Sequence, residues 1–479
     1  MTLDAVSLDR DSDWSAWRVT VAGIGIAGYS AADALMQLGA HVTVVDAGDG
    51  EKQRERAEIL QALGATVLLG HDDTLPAGDL LVVSPGLPPA HPIIKAALAS
   101  GIPVWGELEL AWRVRRSNNP APWLCITGTN GKTTATLMLE SMLRAAGLRT
   151  TAAGNIGSSL VDVCMHDDLD VIAVEVGAPQ LPFVYSMSPL AAVCLNIAPD
   201  HIDHFGSMEQ YVAAKSRIYE RTQVAAVYND ADPVTLRMVE EADVIDGCRG
   251  IGFTLGVPAV GMLGVVDDVL VDRAFIPDRT NAAQELAVVG DVQPQAPHNI
   301  ANALAAAALA RAAGVPASAV RDGLRSFTPA AHRIARVGEV AGVVYVDDSK
   351  ATNTHAAQTS LQAYDHVIWI AGGMAKGQDF DDLVRLNRNR MRAAVLLGVD
   401  RAVIAEALAR HAPDVPVVEV PTTQTGAMAE VVAHCARLAQ QGDTVLLAPG
   451  CASWDMFRDY GDRGRQFAEA VTQLEGFRP

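Results

Sequence analysis

Residues 123–134 read WLCITGTNGKTT, an apolar, β-branched run that breaks into glycines before a Lys-Thr pair. The run Trp123 to Thr127 is a strand by composition. Beyond it Ala135, Met138, Leu139, Met142, Leu143 and Ala146 recur at i, i+3 and i+4, and Gly147 closes the pattern, which predicts a helix. A glycine turn between strand and helix lets backbone N–H groups face a phosphate chain, and the helix N-terminus adds partial positive charge. Gly128, Thr129, Asn130, Gly131, Lys132, Thr133 and Thr134 are therefore candidate nucleotide contacts. Lys132 would reach the outer phosphates and Thr133 a magnesium ion. The spacing departs from the usual phosphate loop, because Ile126 stands where the first glycine belongs. A ligand-free structural turn is the plain alternative.

The same alternation extends in both directions. Arg18 to Ala22 and His41 to Val45 read as strands around a helix from Tyr29 to Leu38, with a further strand from Leu80 to Val83. Val171 to Val176 and Ala191 to Ile197 accompany the phosphate loop. Val343 to Val346, His366 to Ala371 and Thr444 to Ala448 form a third group. Strands alternating with helices predict an α/β chain of mainly parallel, doubly wound sheets, Rossmann-like at both ends with a P-loop-type centre. At about 150 residues per domain, 479 residues suggest three. The polar, proline-bearing stretch Arg113 to Pro122 and the stretch Phe327 to Arg333 place boundaries near 118 and 328. The expected domains are 1–117, 118–328 and 329–479.

In such sheets ligands bind beyond the carboxyl ends of the strands. Near the N-terminus Gly23-Ile24-Gly25-Ile26-Ala27-Gly28 follows a strand, Asp46 ends the next, and Ser84-Pro85-Gly86 follows another. This is a diphosphate fingerprint that leaves the nucleotide open, or a tight turn. In the middle, Glu175 and Asp200-His201-Ile202-Asp203-His204 sit after strands and suit Mg²⁺ beside phosphates. The capping box Ser207 to Gln210 starts a helix carrying Lys215. An ammonium cannot ligate a metal, so Lys215 is either a solvated surface lysine or modified. Three more stretches follow strands in the last part: Asp347-Asp348-Ser349-Lys350-Ala351-Thr352-Asn353, Gly372 to Gly377 with Lys376, and Ala448 to Trp454 with Ser453. Ammonium and hydroxyl groups converging at one sheet edge make a carboxylate pocket.

The formal net charge of −19 argues against nucleic acid and anionic membrane as partners. Six scattered cysteines with no C-x-x-C pair read as buried thiols in a reducing compartment. No apolar run reaches the roughly 18 residues of a membrane span, and Met1 to Trp17 has no signal-peptide core. The expectation is a cytoplasmic monomer working on small molecules.

Taken in order, GIGIAGYS, SPG, GTNGKTT, GNIG, DHIDHF, AAKSRIYE, HNIANALAAAALA, HR, DDSKATN, AGG and APGCASWDMFRDYGDRG resemble the Mur ligase superfamily along the whole chain. DDSKATN and CASWD resemble its D-glutamate-adding branch; the DNPR-type motif of the diaminopimelate- or lysine-adding branch is absent. The resemblance implies an ATP-dependent amide ligase joining D-glutamate to UDP-N-acetylmuramoyl-L-alanine through an acyl phosphate, in peptidoglycan precursor synthesis. It implies that Glu175, His201 and a carbamylated Lys215 join Thr133 in holding Mg²⁺. It further implies that the Gly23 to Ser30 loop holds UDP and that Asn155 and His201 meet the muramoyl substrate. Asn299, Asn302, Arg333 and Asp348 fall at ATP positions, and Lys350, Thr352, Lys376, Ser453 and Tyr460 at D-glutamate positions. Three departures stand out: Gly177-Ala178-Pro179 replaces the family's Ser-Ser-Phe, Met374 replaces a polar residue, and Tyr460 stands where phenylalanine is familiar.

Other readings are a superfamily ligase acting on another amino acid or a folate, a dehydrogenase built on Gly23 to Gly28, and a silent nucleotide-binding regulator. The lysine distribution bears on the choice. Only six of the 37 basic residues are lysine, and Lys132, Lys215, Lys350 and Lys376 all fall in the proposed site motifs, while Lys52 and Lys95 do not. Codon bias accounts for arginine elsewhere. A compact or deprotonatable amine accounts for where lysine was kept.

Overall fold

The structure is a computed structural model that describes residues 5–71, 73–166, 168–329, 332–421 and 426–479. The predicted break at 327–333 contains residues 330 and 331, which lie outside the described residues. Three sheets organise three α/β domains, all mainly parallel. Residues up to Phe327 make one compact unit holding the first two sheets, and Thr328–Pro479 make a second.

The first sheet runs Thr66–Leu69, His41–Asp46, Arg18–Ala22, Leu80–Val83, Val104–Gly106, every pair parallel. The chain leaves Arg18–Ala22 in opposite directions at its two halves, which opens a crevice beyond Ala22 and Val83. The outer strands Thr66–Leu69 and Val104–Gly106 were not foreseen, being short and flanked by polar turns. The helix expected from Tyr29 starts at Ile26, directly on the glycine turn, and runs to Gln37.

The second sheet has nine strands, in the order Gln284–Val288, Val269–Asp272, Met262–Val266, Arg249–Phe253, Ala225–Asn229, Ala191–Cys194, Trp123–Thr127, Val171–Glu175, Thr150–Gly154. Two pairs at the far edge, among Met262–Val266, Val269–Asp272 and Gln284–Val288, are antiparallel. Trp123–Thr127 lies inside the sheet, third from one edge, and is fully buried, which its uninterrupted apolar run requires. Its neighbours end on Glu175 and on Cys194, with Asn196 two residues past the latter. The strand expected over Ala191 to Ile197 stops at Cys194, so Asn196 is a loop residue. Helix Lys132–Ala145 packs beneath the alanine-rich helix Pro297–Ala312, whose small side chains allow close approach.

The third sheet runs Ala335–Val340, Val343–Asp347, Thr444–Leu447, Val367–Gly372, Met391–Leu397, Val417–Glu419, with only the first pair antiparallel. Val343–Asp347, Thr444–Leu447 and Val367–Gly372 are adjacent and parallel. Their three following loops therefore emerge side by side. All six cysteines are free, five of them buried. Among the described residues no helix is long and apolar enough to cross a membrane.

Candidate active site

The phosphate loop is built around two cations and a carboxylate. Gly131 caps helix Lys132–Ala145 at φ +83°, and any side chain there would collide with the Asn302 amide. This close approach places Asn302, with Asn299 beside it (Asn302 Nδ2 to Asn299 Oδ1, 3.4 Å), against the loop. Lys132 Nζ donates to the Gly128 and Thr129 carbonyls, both at 2.9 Å. Thr133 Oγ1 donates to Glu175 Oε2 at 2.7 Å, and Asn155 Nδ2 donates to Glu175 Oε1 at 2.8 Å. Thr134 lies in the same first helical turn, half-buried. Thr133, Asn155 and Glu175, which come from three separate motifs, thus share one hydrogen-bonded cluster.

Lys215 is 1% exposed, which removes the solvated-surface alternative. Its Nζ donates to Gly128 O at 2.8 Å and Thr127 Oγ1 at 3.2 Å, beneath the phosphate loop. Burial, reinforced by the nearby Lys132 charge, lowers its pKa to about 7. His201 has φ +52°, is half-exposed, and holds its Nε2 3.7 Å from Asp200 Oδ2. Its loop is tied to the phosphate loop through Thr129, whose Oγ1 accepts from Ala198 N at 2.9 Å and donates to Ala198 O at 3.1 Å.

Sequence reasoning missed two supports here. Asn196 clamps the loop at both ends of its amide: Oδ1 accepts from Asn130 N at 2.9 Å, and Nδ2 donates to Asn130 O at 3.1 Å. The Tyr211 hydroxyl stands 3.0 Å from Thr129 Oγ1. A strand drawn three residues too long concealed Asn196. Like Glu175, it is a polar residue at the carboxyl end of a strand that flanks Trp123–Thr127.

In the first sheet, Gly25 precedes helix Ile26–Gln37, and Ile26 stands exposed at the mouth of the crevice. A side chain on Gly28 would strike the Gly23 carbonyl, so helix and turn meet there at backbone distance. Ala27 lies in the first turn of that helix. The Asp46 carboxylate accepts from Ile24 N and Gly48 N, each at 2.7 Å, and Ser84 Oγ donates to Gly23 O at 3.2 Å. Asp46 and Ser84 thereby hold the glycine turn in shape.

The altered Gly177-Ala178-Pro179 segment is also braced. Gln180 accepts from Gly177 N at 2.7 Å and donates to the buried Glu107 at 3.0 Å. Burial raises the pKa of Glu107.

In the second unit Lys350 Nζ lies 3.9 Å from the Tyr460 ring centroid, and Lys376 Nζ lies 4.2 Å from that of Trp454. Lys376 has φ +51°. Met374 and Ala452 exchange backbone hydrogen bonds at 2.9 and 3.0 Å, joining the Lys376 loop to the loop of Ser453. The Thr352 N–H donates to Lys350 O at 2.8 Å. Asp348 is buried, accepts from the Ser360 hydroxyl, and has its pKa raised to about 6 by burial, against the Arg333 charge. The chemistry assembled is a glycine loop with lysine and hard oxygen donors in the first unit and two ammonium groups, each against an aromatic ring, in the second.

A strand–glycine–lysine phosphate loop flanked by a strand-end carboxylate, joined in one chain to that lysine-bearing sheet edge, is the plan of the Mur ligases. Three family models match: Mur ligase MurD-like N-terminal domain over residues 17–106, Mur ligase middle domain over 126–310, and Mur ligase glutamate ligase domain over 332–451. The UDP-N-acetylmuramoylalanine–D-glutamate ligase of Streptomyces coelicolor is 59% identical over 97% of this chain and 99% of its own, and that of Mycolicibacterium smegmatis 42% over 96% and 97%. The chain belongs to the UDP-N-acetylmuramoylalanine–D-glutamate ligase family of Mur ligases. Its fold is similar to the crystal structure of UDP-N-acetylmuramate–alanine ligase from Thermotoga maritima, with TM-score 0.58 and 19% identity over 95% of this chain and 99% of that one. It is also similar to the MurF ligase of Thermotoga maritima in complex with ADP, with TM-score 0.56 and 16% identity over 90% and 94%.

Proposed function

We propose that this chain uses ATP to join D-glutamate to UDP-N-acetylmuramoyl-L-alanine, forming an amide bond in peptidoglycan precursor synthesis. The observation that carries the reading is the near full-length identity to ligases of that name. The coupled phosphate loop and Thr133–Glu175 pair support the ATP half of it. The alanine carboxylate takes the γ-phosphoryl group and ADP leaves. The D-glutamate nitrogen then attacks the acyl carbon, loses its proton, and phosphate departs. Such chemistry needs positioning and charge neutralisation more than a nucleophilic side chain.

In this reading Lys132 turns from the loop carbonyls to the outer phosphates, and Gly128 to Thr134 line the rest of the cradle. Asn299, Asn302, Arg333 and Asp348 complete the ATP contacts. The Thr133 hydroxyl and Glu175 carboxylate are hard oxygen donors beside a phosphate cradle and fit Mg²⁺, which binds few protein ligands. His201 and a carbamylated Lys215 would join them. The ion would neutralise phosphate charge. Gly25, Ile26, Ala27, Gly28, Asp46 and Ser84 hold the UDP moiety, and Asn155 meets the muramoyl end. Lys350, Thr352, Lys376, Ser453 and Tyr460 take D-glutamate, whose two carboxylates match two ammonium groups. Residues 1–117, 118–328 and 329–479 divide these tasks, in a cytoplasmic monomer.

The test is phosphate release from ATP with UDP-N-acetylmuramoyl-L-alanine and a panel of amino acids. Release with D-glutamate alone is expected. Release with L-lysine or diaminopimelate in its place would overturn the assignment.

A further inference from the structure

Arg463 is 0% exposed, yet it lies in helix Tyr460–Thr472 of a domain whose other arginines are mostly at the surface. Its guanidinium donates from Nε to Ser349 Oγ at 2.9 Å, from NH2 to Ser349 O at 2.7 Å, and from NH1 to Cys451 O at 3.1 Å, with Gly372 O at 3.5 Å. Ser349 Oγ donates in turn to Tyr460 O at 2.7 Å. One side chain therefore touches the loops that follow strands Val343–Asp347 and Thr444–Leu447 and, more distantly, the last residue of strand Val367–Gly372, from which the third loop departs. Every residue assigned to D-glutamate lies close along the chain to one of these contacts: Lys350 and Thr352 after Ser349, Lys376 after Gly372, Ser453 after Cys451, and Tyr460 itself.

Burying a guanidinium is costly, and a merely structural site would be filled as well by apolar packing. A planar fork of five donors can bridge three carbonyl groups at once, whereas a lysine ammonium places its three donors at one point. Burial lowers the Arg463 pKa to about 10, and the nearby Asp455, Asp347 and Asp348 offset part of that cost.

We propose that Arg463 is a positioning residue for amino-acid recognition, fixing the three loops in the single arrangement that grips the amino-acid substrate; this rests on the D-glutamate reading above. The test measures KM for each of the three substrates, and kcat, in Arg463→Lys, with Ser349→Ala as a second variant that keeps the buried charge and removes two of the contacts. Both are checked by thermal melting. KM for D-glutamate should rise roughly ten- to hundredfold in Arg463→Lys, as ångström-scale misplacement produces, and by less in Ser349→Ala. KM for ATP and for the UDP substrate should stay near wild type. An unchanged D-glutamate KM in either folded variant, or an equal rise for all three substrates, overturns the proposal. Wild-type protein that releases no phosphate with D-glutamate overturns the functional reading instead.

Discussion

The Thr133 hydroxyl donates a 2.7 Å hydrogen bond to Glu175, whose other oxygen is held by Asn155 at 2.8 Å. The carboxylate is thus aimed from both sides at the first turn of the phosphate-loop helix. Thr133→Val keeps the shape and deletes the hydroxyl, removing one charge-assisted bond worth about 1.5–3 kcal/mol. The magnesium concentration for half-maximal phosphate release is expected to rise roughly tenfold or more. A magnesium titration with an unshifted midpoint would reduce Thr133 to a cap on Glu175.

Lys215 is a buried amine with its pKa lowered to about 7, seated under the loop that Lys132 also touches. A desolvated amine of this kind is a good nucleophile toward CO2, giving a carbamate and a proton. The carbamate converts a donor into a carboxylate-like acceptor beside Glu175's strand. Protein equilibrated with ¹³C-bicarbonate should show one carbamate signal that Lys215→Ala lacks, and acetate should partly restore the variant's activity. Absence of both the signal and the rescue would leave Lys215 an unmodified buried amine.

Asp348 gives a stability signature. Its folded pKa of about 6 lies above the ordinary value of 3.8, so between those pH values the folded chain holds a proton that the unfolded chain has released. Stability from this group therefore falls as pH rises from about 4 to 6, and the full cost of the buried charge stands above 6. The size is on the order of 3 kcal/mol. Asp348→Asn has no such slope. Its melting temperature relative to wild type should climb across that window and level off above it; a constant offset would contradict the burial of an ionised Asp348.

The sequence made the sheets legible because buried parallel strands are continuous apolar runs, as at Trp123–Thr127, and the polar residues just after them make up the candidate site. What stayed hidden was support through backbone atoms. Arg463 reads as one more arginine on an amphipathic helix, and nothing in its spacing says that it turns inward; the flanking Gly461 and Gly464 were the available signal. Asn196 was hidden by a strand drawn three residues too long, because Leu195 and Ile197 continue the apolar pattern. Lys215 was legible as anomalous, but only the fold shows that it is buried.

Glu109 is likewise invisible in sequence, reading as a helix-surface acid. It is fully buried, accepts from Tyr185 N, Ser186 N and Ser186 Oγ at 2.7 to 2.9 Å, and pairs with Arg113 Nε at 2.6 Å. Helix Glu107–Arg113 follows the last strand of the first sheet, and Tyr185 lies between strands of the second. This carboxylate therefore fastens the two parts of the first compact unit. Glu109→Ala would take the carboxylate from a largely buried guanidinium, which keeps the Val6 and Leu8 carbonyls and the Trp105 ring, and would unpair two backbone N–H groups, a loss of about 3–5 kcal/mol. Replacing Arg113 as well, in Glu109→Ala/Arg113→Met, should recover part of that loss, since the stranded charge is gone. Urea unfolding of the two variants measures both terms. A single-variant loss below about 1 kcal/mol, the range of an exposed pair, would show that Glu109 is not what fastens the two sheets.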